Sequence, residues 1–341
     1  MKQLTSLNFA LSNRCNAKCI WCPTTRGIKS NFDMDTELVY KIVDEVSSKE
    51  FPYKLKTIHM SENGEALYHK DFVDIVRYIK RKLPDARLDM LSNFGLMSKK
   101  VAKVLTEEKI FDTIQVNIDG HDEHSYRAVK GIPFKSVMKN LKYFLEYRRD
   151  YNPELDFKIN VMPAFEYTAT VYYALGENPE QVKPGQAVPF STYDMVCQSL
   201  LDHLGGELYD SLTTIKHSKP GLWAERDKFK KLGFDPEQNL KCPMVDVLEQ
   251  SIYVAPNGDY YACCLDDNND LVLGNLKDNT VLELWHSQDR IQFVDDLKAQ
   301  SFEKIGYPCN TVCACQTIMI PDDKLKELES LHSDAASVVF E

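Results

Sequence analysis

The chain has 341 residues, 43% of them hydrophobic, enough to bury at least one full core and to suit one large domain plus a smaller one. A formal net charge of -10 and a pI near 5.4 disfavour a generic nucleic-acid or acidic-membrane partner. There is no signal-peptide pattern and no apolar run long enough to span a bilayer, so a soluble cytoplasmic protein is expected.

Met1-Lys2-Gln3 leads almost directly into a strand over Leu4–Leu11. Asp35–Ser48 has helical spacing through Leu38, Ile42, Val43 and Val46. Leu55–Met60 reads as a second strand and Asp71–Leu83 as a helix, with Phe72, Ile75, Val76 and Ile79 on one face and Pro84 just beyond. Arg87–Leu91 is the third strand, Ser98–Glu107 the third helix and Thr113–Ile118 the fourth strand. Pro133–Arg148 is a helix with Val137, Leu141 and Leu145 in phase, and Asp156–Met162 the fifth strand. The stretch 163–190 is irregular and long for a barrel loop, as lids and binding elements are. A helix fits Thr192–Leu204, ended by Gly205-Gly206, and Glu207–Lys216 a sixth strand.

This βα alternation favours a parallel sheet with helical crossovers. From Lys241 the pattern changes. Gln250–Ala255 and Tyr260–Cys264 are short strands around Pro256-Asn257-Gly258, a hairpin signal. Helices follow at Thr280–Trp285 and Asp289–Ala299, and Asp322–Glu341 is charged and peripheral.

Ten cysteines would suit a disulfide framework in a small secreted domain. This chain is too long to need one and shows no export signal, so metal binding is the better reading. Cys15, Cys19 and Cys22 lie at the start, Cys197 stands alone, and the rest fall between Cys242 and Cys315, which implies two metal-bearing regions. The first three are spaced C-x3-C-x2-C, with Trp21 directly before the third. Three thiolates can hold three irons of a cubane cluster and leave the fourth open to a small molecule, whereas the usual cluster has four protein ligands. A structural zinc site also wants four ligands, and the next histidine, His59, is not at knuckle spacing.

Leu11-Ser-Asn-Arg-Cys-Asn-Ala-Lys-Cys-Ile-Trp-Cys-Pro23 resembles the opening motif of the radical S-adenosylmethionine (radical SAM) superfamily. The resemblance implies a [4Fe-4S] cluster on Cys15, Cys19 and Cys22, whose free iron chelates the amino and carboxylate groups of S-adenosylmethionine (SAM). It also implies an α/β fold, a partial (β/α)6 TIM-like barrel over 1–240. In parallel barrels functional residues gather at the carboxyl ends of the strands. After the second strand, Asn63-Gly64-Glu65-Ala66 is similar to the family's Gly-Gly-Glu-Pro, which holds the SAM amino group, with Asn63 and Ala66 as departures. After the third, Asn93 sits in a turn like the family's Thr-Asn-Gly. After the fourth, Asn117-Ile-Asp119-Gly120 resembles Ser-Ile-Asp-Gly, which places Asn117 against the ribose or amino acid part of SAM. Tyr126 to Gly131 looks like Tyr-x-x-x-Arg-Gly, with Lys130 where an arginine pairs with the SAM carboxylate and Arg127 as a nearby substitute. Lysine supplies charge but no bidentate fork.

Cys242, the G-x4-C element Gly258–Cys263, Gly274-Asn275-Leu276 and Leu282–Trp285 resemble a SPASM or twitch domain over 241–320, leaving 321–341 as a peripheral tail. The ending shows only Cys309-x3-Cys313-x-Cys315 rather than the longer SPASM series, so one auxiliary iron–sulfur cluster is expected. Cys242, Cys263, Cys309 and one of Cys313 or Cys315 would hold it. Cys264 is set aside because neighbours on a strand face opposite ways. A zinc ribbon is the alternative, since thiolate spacing does not separate the two metals. His217, Glu166 and Asp266 are candidate rim residues.

The resemblance implies reductive SAM cleavage to a 5′-deoxyadenosyl radical, hydrogen abstraction from substrate, and an electron donor such as flavodoxin or ferredoxin. Such enzymes mature peptides, oxidise sulfatase side chains, or dehydrogenate and epimerise sugars and aminocyclitols. Because the sequence begins at its first barrel strand, no added peptide-recognition domain is expected, which favours a small polar or carbohydrate-like substrate over a peptide. A cluster-binding scaffold without SAM cleavage, or a zinc-binding protein, is the contrasting class.

Overall fold

Six parallel strands run side by side in chain order, each but the last returned by helical crossovers. They are β1 (Ser6–Phe9), β2 (Thr57–Met60), β3 (Arg87–Ser92), β4 (Thr113–Asn117), β5 (Asp156–Val161) and β6 (Thr214–His217). This computed structural model describes residues 2–19, 22, 32–60, 64–163, 190–217, 242, 244–264, 266, 270–306 and 309–310, with 323, 326, 327 and 330 beyond. Most of the 163–190 insertion and Glu166 therefore lie outside the described residues. Among those described, no helix is long and apolar enough to cross a membrane.

The crossover helices are α1 (Thr36–Ser47), α2 (Phe72–Lys82), α3 (Lys99–Glu107), α4 (Glu123–Lys130), α5 (Phe134–Tyr151), α6 (Tyr193–Leu204) and α7 (Gly206–Asp210). Their starts carry side-chain caps where the sequence supplies them: Asp35 before α1, Ser98 before α3 and Thr192 before α6. The short α4 was not evident from periodicity. An Asp122–Ser125 capping box starts it and Gly131, at φ 70°, stops it.

Alternation along the strands sorts two faces. Leu7, Phe9, Ile58, Met60, Leu88, Met90, Ile114, Val116, Phe157 and Ile159 join the helix side chains in one apolar core. The other face is polar and half-buried, with His59 and Asp89 in register on β2 and β3 and Gln115 and Lys158 on β4 and β5. Asn8 joins it from β1, and its amide donates to the Ile252 carbonyl at 3.2 Å.

The expected sixth strand over Glu207–Lys216 is corrected: its first part is helix α7, and only Thr214–His217 is strand. Gly205, at φ 80°, ends α6 and caps α7 directly. The buried Arg148 guanidinium then fixes the turn into β6, donating to the Ser211 carbonyl at 2.9 Å and to Leu155 at 2.9 Å.

The C-terminal hairpin continues the sheet. Strand β7 (Ser251–Val254) lies parallel to β1 on the side away from β2, and β8 (Asp259–Tyr261) and β9 (Val272–Asn275) extend it antiparallel. Behind it come α8 (Val245–Leu248), α9 (Val281–Trp285), α10 (Gln288–Lys298) and α11 (Phe302–Ile305). Arg290 is 1% exposed, lies 3.3 Å from the Trp285 ring centroid and donates to the Glu249 carbonyl at 3.1 Å. Replacing it by alanine removes a buried cation–π contact and leaves that carbonyl unpaired. Arg290→Ala is expected to cost about 2–4 kcal/mol, read as a fall in the urea midpoint. An unchanged midpoint would show the residue to be dispensable.

Candidate active site at the carboxyl ends of the strands

The loop leaving β1 is fixed at both of its described ends. Met34 N–H donates to the Leu11 carbonyl at 2.8 Å, and Ser12 Oγ donates to Asp33 at 2.6 Å. Arg14 pairs with the same Asp33 and stacks over Tyr68, 4.6 Å from the ring centroid. Three further contacts tie the cysteine segment to other strand ends. Glu65 N–H donates to the Arg14 carbonyl at 2.9 Å, and Lys18 N–H to the Lys130 carbonyl at 2.7 Å. The Asn93 amide donates to Asn16 Oδ1 at 2.9 Å and to Cys15 Sγ at 3.5 Å.

Gly64 makes the approach after β2 possible. It sits at φ +111°, and a Cβ there would lie 2.0 Å from the Ser12 carbonyl oxygen. The next residue, Glu65, is 2% exposed. Its carboxylate accepts from Ser92 Oγ at 2.8 Å, Asn93 N–H at 2.9 Å and Leu67 N–H at 3.4 Å. Burial pushes this carboxyl up, against the lowering by those bonds and by Lys130. A carboxylate offers about four acceptor positions, so one remains for a ligand ammonium.

The turn after β3 is strained. Phe94 takes φ 59°, in the left-handed region, and is held there by full burial against Phe144 and Phe157 at ring distances of 5.2 and 5.8 Å. That turn aims Asn93 at the cysteine loop.

Cys15, Cys19 and Cys22 are half-buried and close enough for each sulfur to act on the others' charge. Burial, with the charges of Glu65 and the other two sulfurs, pushes the Cys15 thiol up to about 12, and burial raises Cys19 as well. Two buried polar atoms here lack a hydrogen-bond partner among the described residues, Asn117 Oδ1 at the end of β4 and the Tyr126 hydroxyl on α4. No group of three His, Cys, Asp or Glu side chains among the described residues gathers tightly enough for a single metal ion.

The structure thus brings Cys15, Cys19, Cys22, Gly64, Glu65, Asn93, Asn117 and Lys130 to the ends of β1–β4 and α4. Trp21 and Asn63 lie outside the described residues. Arg127 is no substitute for Lys130: it points out and pairs with Glu123 at 2.6 Å. Lys130 itself is 3% exposed, and its ammonium pairs with the equally buried Asp119 at 2.7 Å. Asp119 and Tyr126 escaped the sequence reading as site residues. The signal was an aspartate just past a strand end, followed by a capped helix that ends in lysine.

In the C-terminal region Cys263 is buried just past β8, and Cys242, Cys264 and Cys309 are half-buried. Cys313 and Cys315 lie outside the described residues. Asp266 is occupied as a loop staple, accepting from Asp270 N–H at 3.0 Å and Leu271 N–H at 2.8 Å. His217, exposed on β6, stacks on Tyr193 at 4.7 Å.

Sequence models of two families match this chain: the radical SAM superfamily over residues 9–162, and the SPASM iron–sulfur cluster-binding domain over residues 242–316. The chain belongs to the radical SAM superfamily. Its C-terminal region is a SPASM-type auxiliary cluster domain. The two domains imply a [4Fe-4S] cluster and SAM, with an auxiliary iron–sulfur cluster. The N-terminal donors are of the kind they need: three half-buried thiols near enough to act on one another's charge, and a buried carboxylate and two orphaned polar atoms for a polar ligand.

A tungsten-containing aldehyde ferredoxin oxidoreductase cofactor-modifying protein from Pyrococcus furiosus is 32% identical over 101 residues, 30% of this chain and 27% of that protein. A probable GTP 3′,8-cyclase from Methanocella arvoryzae is 28% identical over 128 residues, 38% of each chain. The chain thus spans well under half the length of these curated relatives. Two solved structures share the fold across nearly the whole chain. BtrN in complex with AdoMet and 2-DOIA has a TM-score of 0.52 at 15% identity, covering 89% of this chain and 90% of its own. Native anSMEcpe with AdoMet and Cp18Cys peptide has a TM-score of 0.53 at 17% identity, covering 99% and 100%.

Proposed function

We propose that this radical SAM enzyme abstracts a hydrogen atom from a small polar or carbohydrate-like substrate, in an oxidation, dehydrogenation or epimerisation. The observation that carries the substrate class is the polar inner face of the sheet. Asn8, His59, Asp89, Gln115, Lys158 and Asn160 offer donors, acceptors and charge where a packed barrel would place aliphatic side chains. Such a lining suits a ligand rich in hydroxyl or amino groups. The likeness to BtrN bound to 2-DOIA supports this reading, and the likeness to anSMEcpe bound to a peptide supports a peptide side chain as the second.

In this reading Cys15, Cys19 and Cys22 hold the cluster. Glu65 accepts the SAM ammonium, with Gly64 giving close backbone approach. Asn117 offers its orphaned Oδ1 to the ribose or amino acid part, Asn93 steadies Cys15, and Trp21 and Asn63 belong to the cofactor-binding set. When bound, the cluster supplies the electron that splits SAM into methionine and a 5′-deoxyadenosyl radical. The chain's residues orient that ligand and keep water away. Cys242, Cys263, Cys309 and one of Cys313 or Cys315 hold the auxiliary cluster. We divide the chain accordingly into a barrel over 1–240, a cluster domain over 241–320 and a tail over 321–341. A flavodoxin- or ferredoxin-class donor in the cytoplasm completes the scheme.

Anaerobic reconstitution with iron, sulfide, SAM and dithionite tests the cleavage. 5′-Deoxyadenosine is expected, and none from an intact cluster would overturn the reading in favour of a scaffold. Cys242→Ala is expected to leave part of the SAM cleavage while substrate turnover falls at least tenfold. Equal loss of both would argue against separate duties for the two ends of the chain.

A further inference from the structure

Helices α3 and α5 carry a patch of uncompensated positive charge. Lys99, Lys100 and Lys103 lie on α3, and Lys135, Lys139 and Lys142 recur at helical spacing on α5. All six are exposed. The two helices are neighbours: Lys99 Nζ lies 5.8 Å from the Tyr143 ring centroid, and the Tyr143 hydroxyl donates to the Met97 carbonyl. The carboxylates close by are already used, Glu107 by Lys103 at 3.6 Å and Glu123 by Arg127 at 2.6 Å. Among the described residues the other five lysines form no ion pair. The whole chain has a formal charge of -10, so the patch runs against its overall field. It also runs against the helix dipole. Every other α-helix among the described residues carries Asp or Glu in its first turn, whereas α3 and α5 carry none and start with Lys99, Lys100 and Lys135. Cations held where they disfavour the fold point to a partner of opposite charge.

The patch borders the cysteine loop. Asn140 on α5 donates to the Phe94 carbonyl at 2.8 Å, and in the same turn Asn93 donates to Asn16 Oδ1 at 2.9 Å. A Cβ on Gly95 would meet Asn16 Nδ2 at 2.3 Å. Just before α5, Lys18 N–H donates to the Lys130 carbonyl at 2.7 Å, and the Lys18 side chain adds a further exposed cation. We propose that the exposed faces of α3 and α5 are the docking surface for an acidic one-electron carrier protein. The proposal rests on the reading of Cys15, Cys19 and Cys22 as a cluster site, since electrons cross protein only over short distances and the donor must seat beside that loop. It adds the surface to the donor class given above. The step is the transfer of one electron from the reduced carrier, which leaves oxidised by one electron, and no bond is made or broken. A nucleic acid strand would run past the patch onto the acidic remainder of the chain, whereas a compact acidic protein matches a footprint of two helices.

The test is calorimetric titration of the anaerobically reconstituted full chain with an acidic flavodoxin and, separately, an acidic [4Fe-4S] ferredoxin. At least one is expected to bind, about tenfold more weakly at about 0.3 M than at about 0.05 M salt. The double substitution Lys99→Glu, Lys139→Glu is expected to weaken that binding by about tenfold or more. The same charge change at Lys49→Glu, Lys56→Glu, exposed between α1 and β2, should alter it by less than about threefold. The urea midpoint of the first variant should hold or rise, because Lys99 in a first turn becomes an acid. Dithionite, too small to need a docking surface, should drive 5′-deoxyadenosine formation equally in all three proteins. Failure of the wild type to bind either carrier overturns the proposal, as do unchanged binding in the patch variant and equal loss in both variants. So does lost binding together with a lowered midpoint, which would make the lysines structural. Tighter binding of a single-stranded RNA of about 20 nucleotides to the same lysines would assign the surface to nucleic acid instead. A wild-type chain that forms no 5′-deoxyadenosine with dithionite sinks the cluster reading, whatever the titrations give.

Discussion

Cys19→Ala is expected to reduce 5′-deoxyadenosine formation to background. Two thiolates remain, and described residues around them are held by other contacts. Arg14 is held by Asp33, Asn16 by Asn93, and the Lys18 amide by the Lys130 carbonyl. No described neighbour offers a replacement sulfur: Cys197 sits on α6 and Cys242 precedes α8. The variant should lose about four irons per chain, one cubane, while keeping the iron held at the C-terminal end. Its fold should survive, because Cys19 is half-buried and lies outside the strands. Colorimetric iron analysis and a SAM-cleavage assay check both halves. Full iron with normal cleavage would remove Cys19 from the ligand set and with it the open-iron reading of the triad.

Gly64→Ala is expected to be nearly as damaging without touching a ligand. Its new methyl would sit 2.0 Å from the Ser12 carbonyl oxygen, a backbone atom in a bridge to Asp33 that cannot simply swing aside. The φ of +111° adds strain for any side chain. Overpacking and backbone strain together should cost about 2–5 kcal/mol. Because relief requires pulling Ser12 from β2's end, cluster loading should fail before the barrel does. Urea unfolding and iron content separate the two effects. A variant as stable and as iron-rich as wild type would refute the close approach.

Much of this was legible in the sequence because local rules governed it. Ile75, Val76 and Ile79 mark α2 by period alone, and Asn257-Gly258 marks the hairpin by turn chemistry. The cysteine triad and Glu65 were legible because a ligand set needs particular atoms at a particular spacing. What escaped depended on partners far away in the chain. Glu207–Asp210 carries no strand-breaking residue, and its helical state follows from Gly205 capping it and Arg148 gripping the turn beyond. Lys130 read as a contact to the SAM carboxylate. Only the fold shows it buried and paired with Asp119 at 2.7 Å. Arg290 likewise sits in a charged amphipathic run, and nothing local says that Trp285 lies under its guanidinium.

The pairing of β1 with β7 has a consequence for how the molecule comes into being. Ser6–Phe9 finds β2 about fifty residues later, but its other neighbour, Ser251–Val254, is about 245 residues away. On a ribosome adding about 5–20 residues per second, that flank of β1 stays unpaired for roughly 12–50 s. An open parallel edge is a template for wrong partners in that interval. The cysteine loop hangs directly from this strand, with Ala10 N–H donating to the Val254 carbonyl at 2.9 Å. The root of the loop that carries the first three cysteines is thus anchored in part by a strand made about 245 residues after β1.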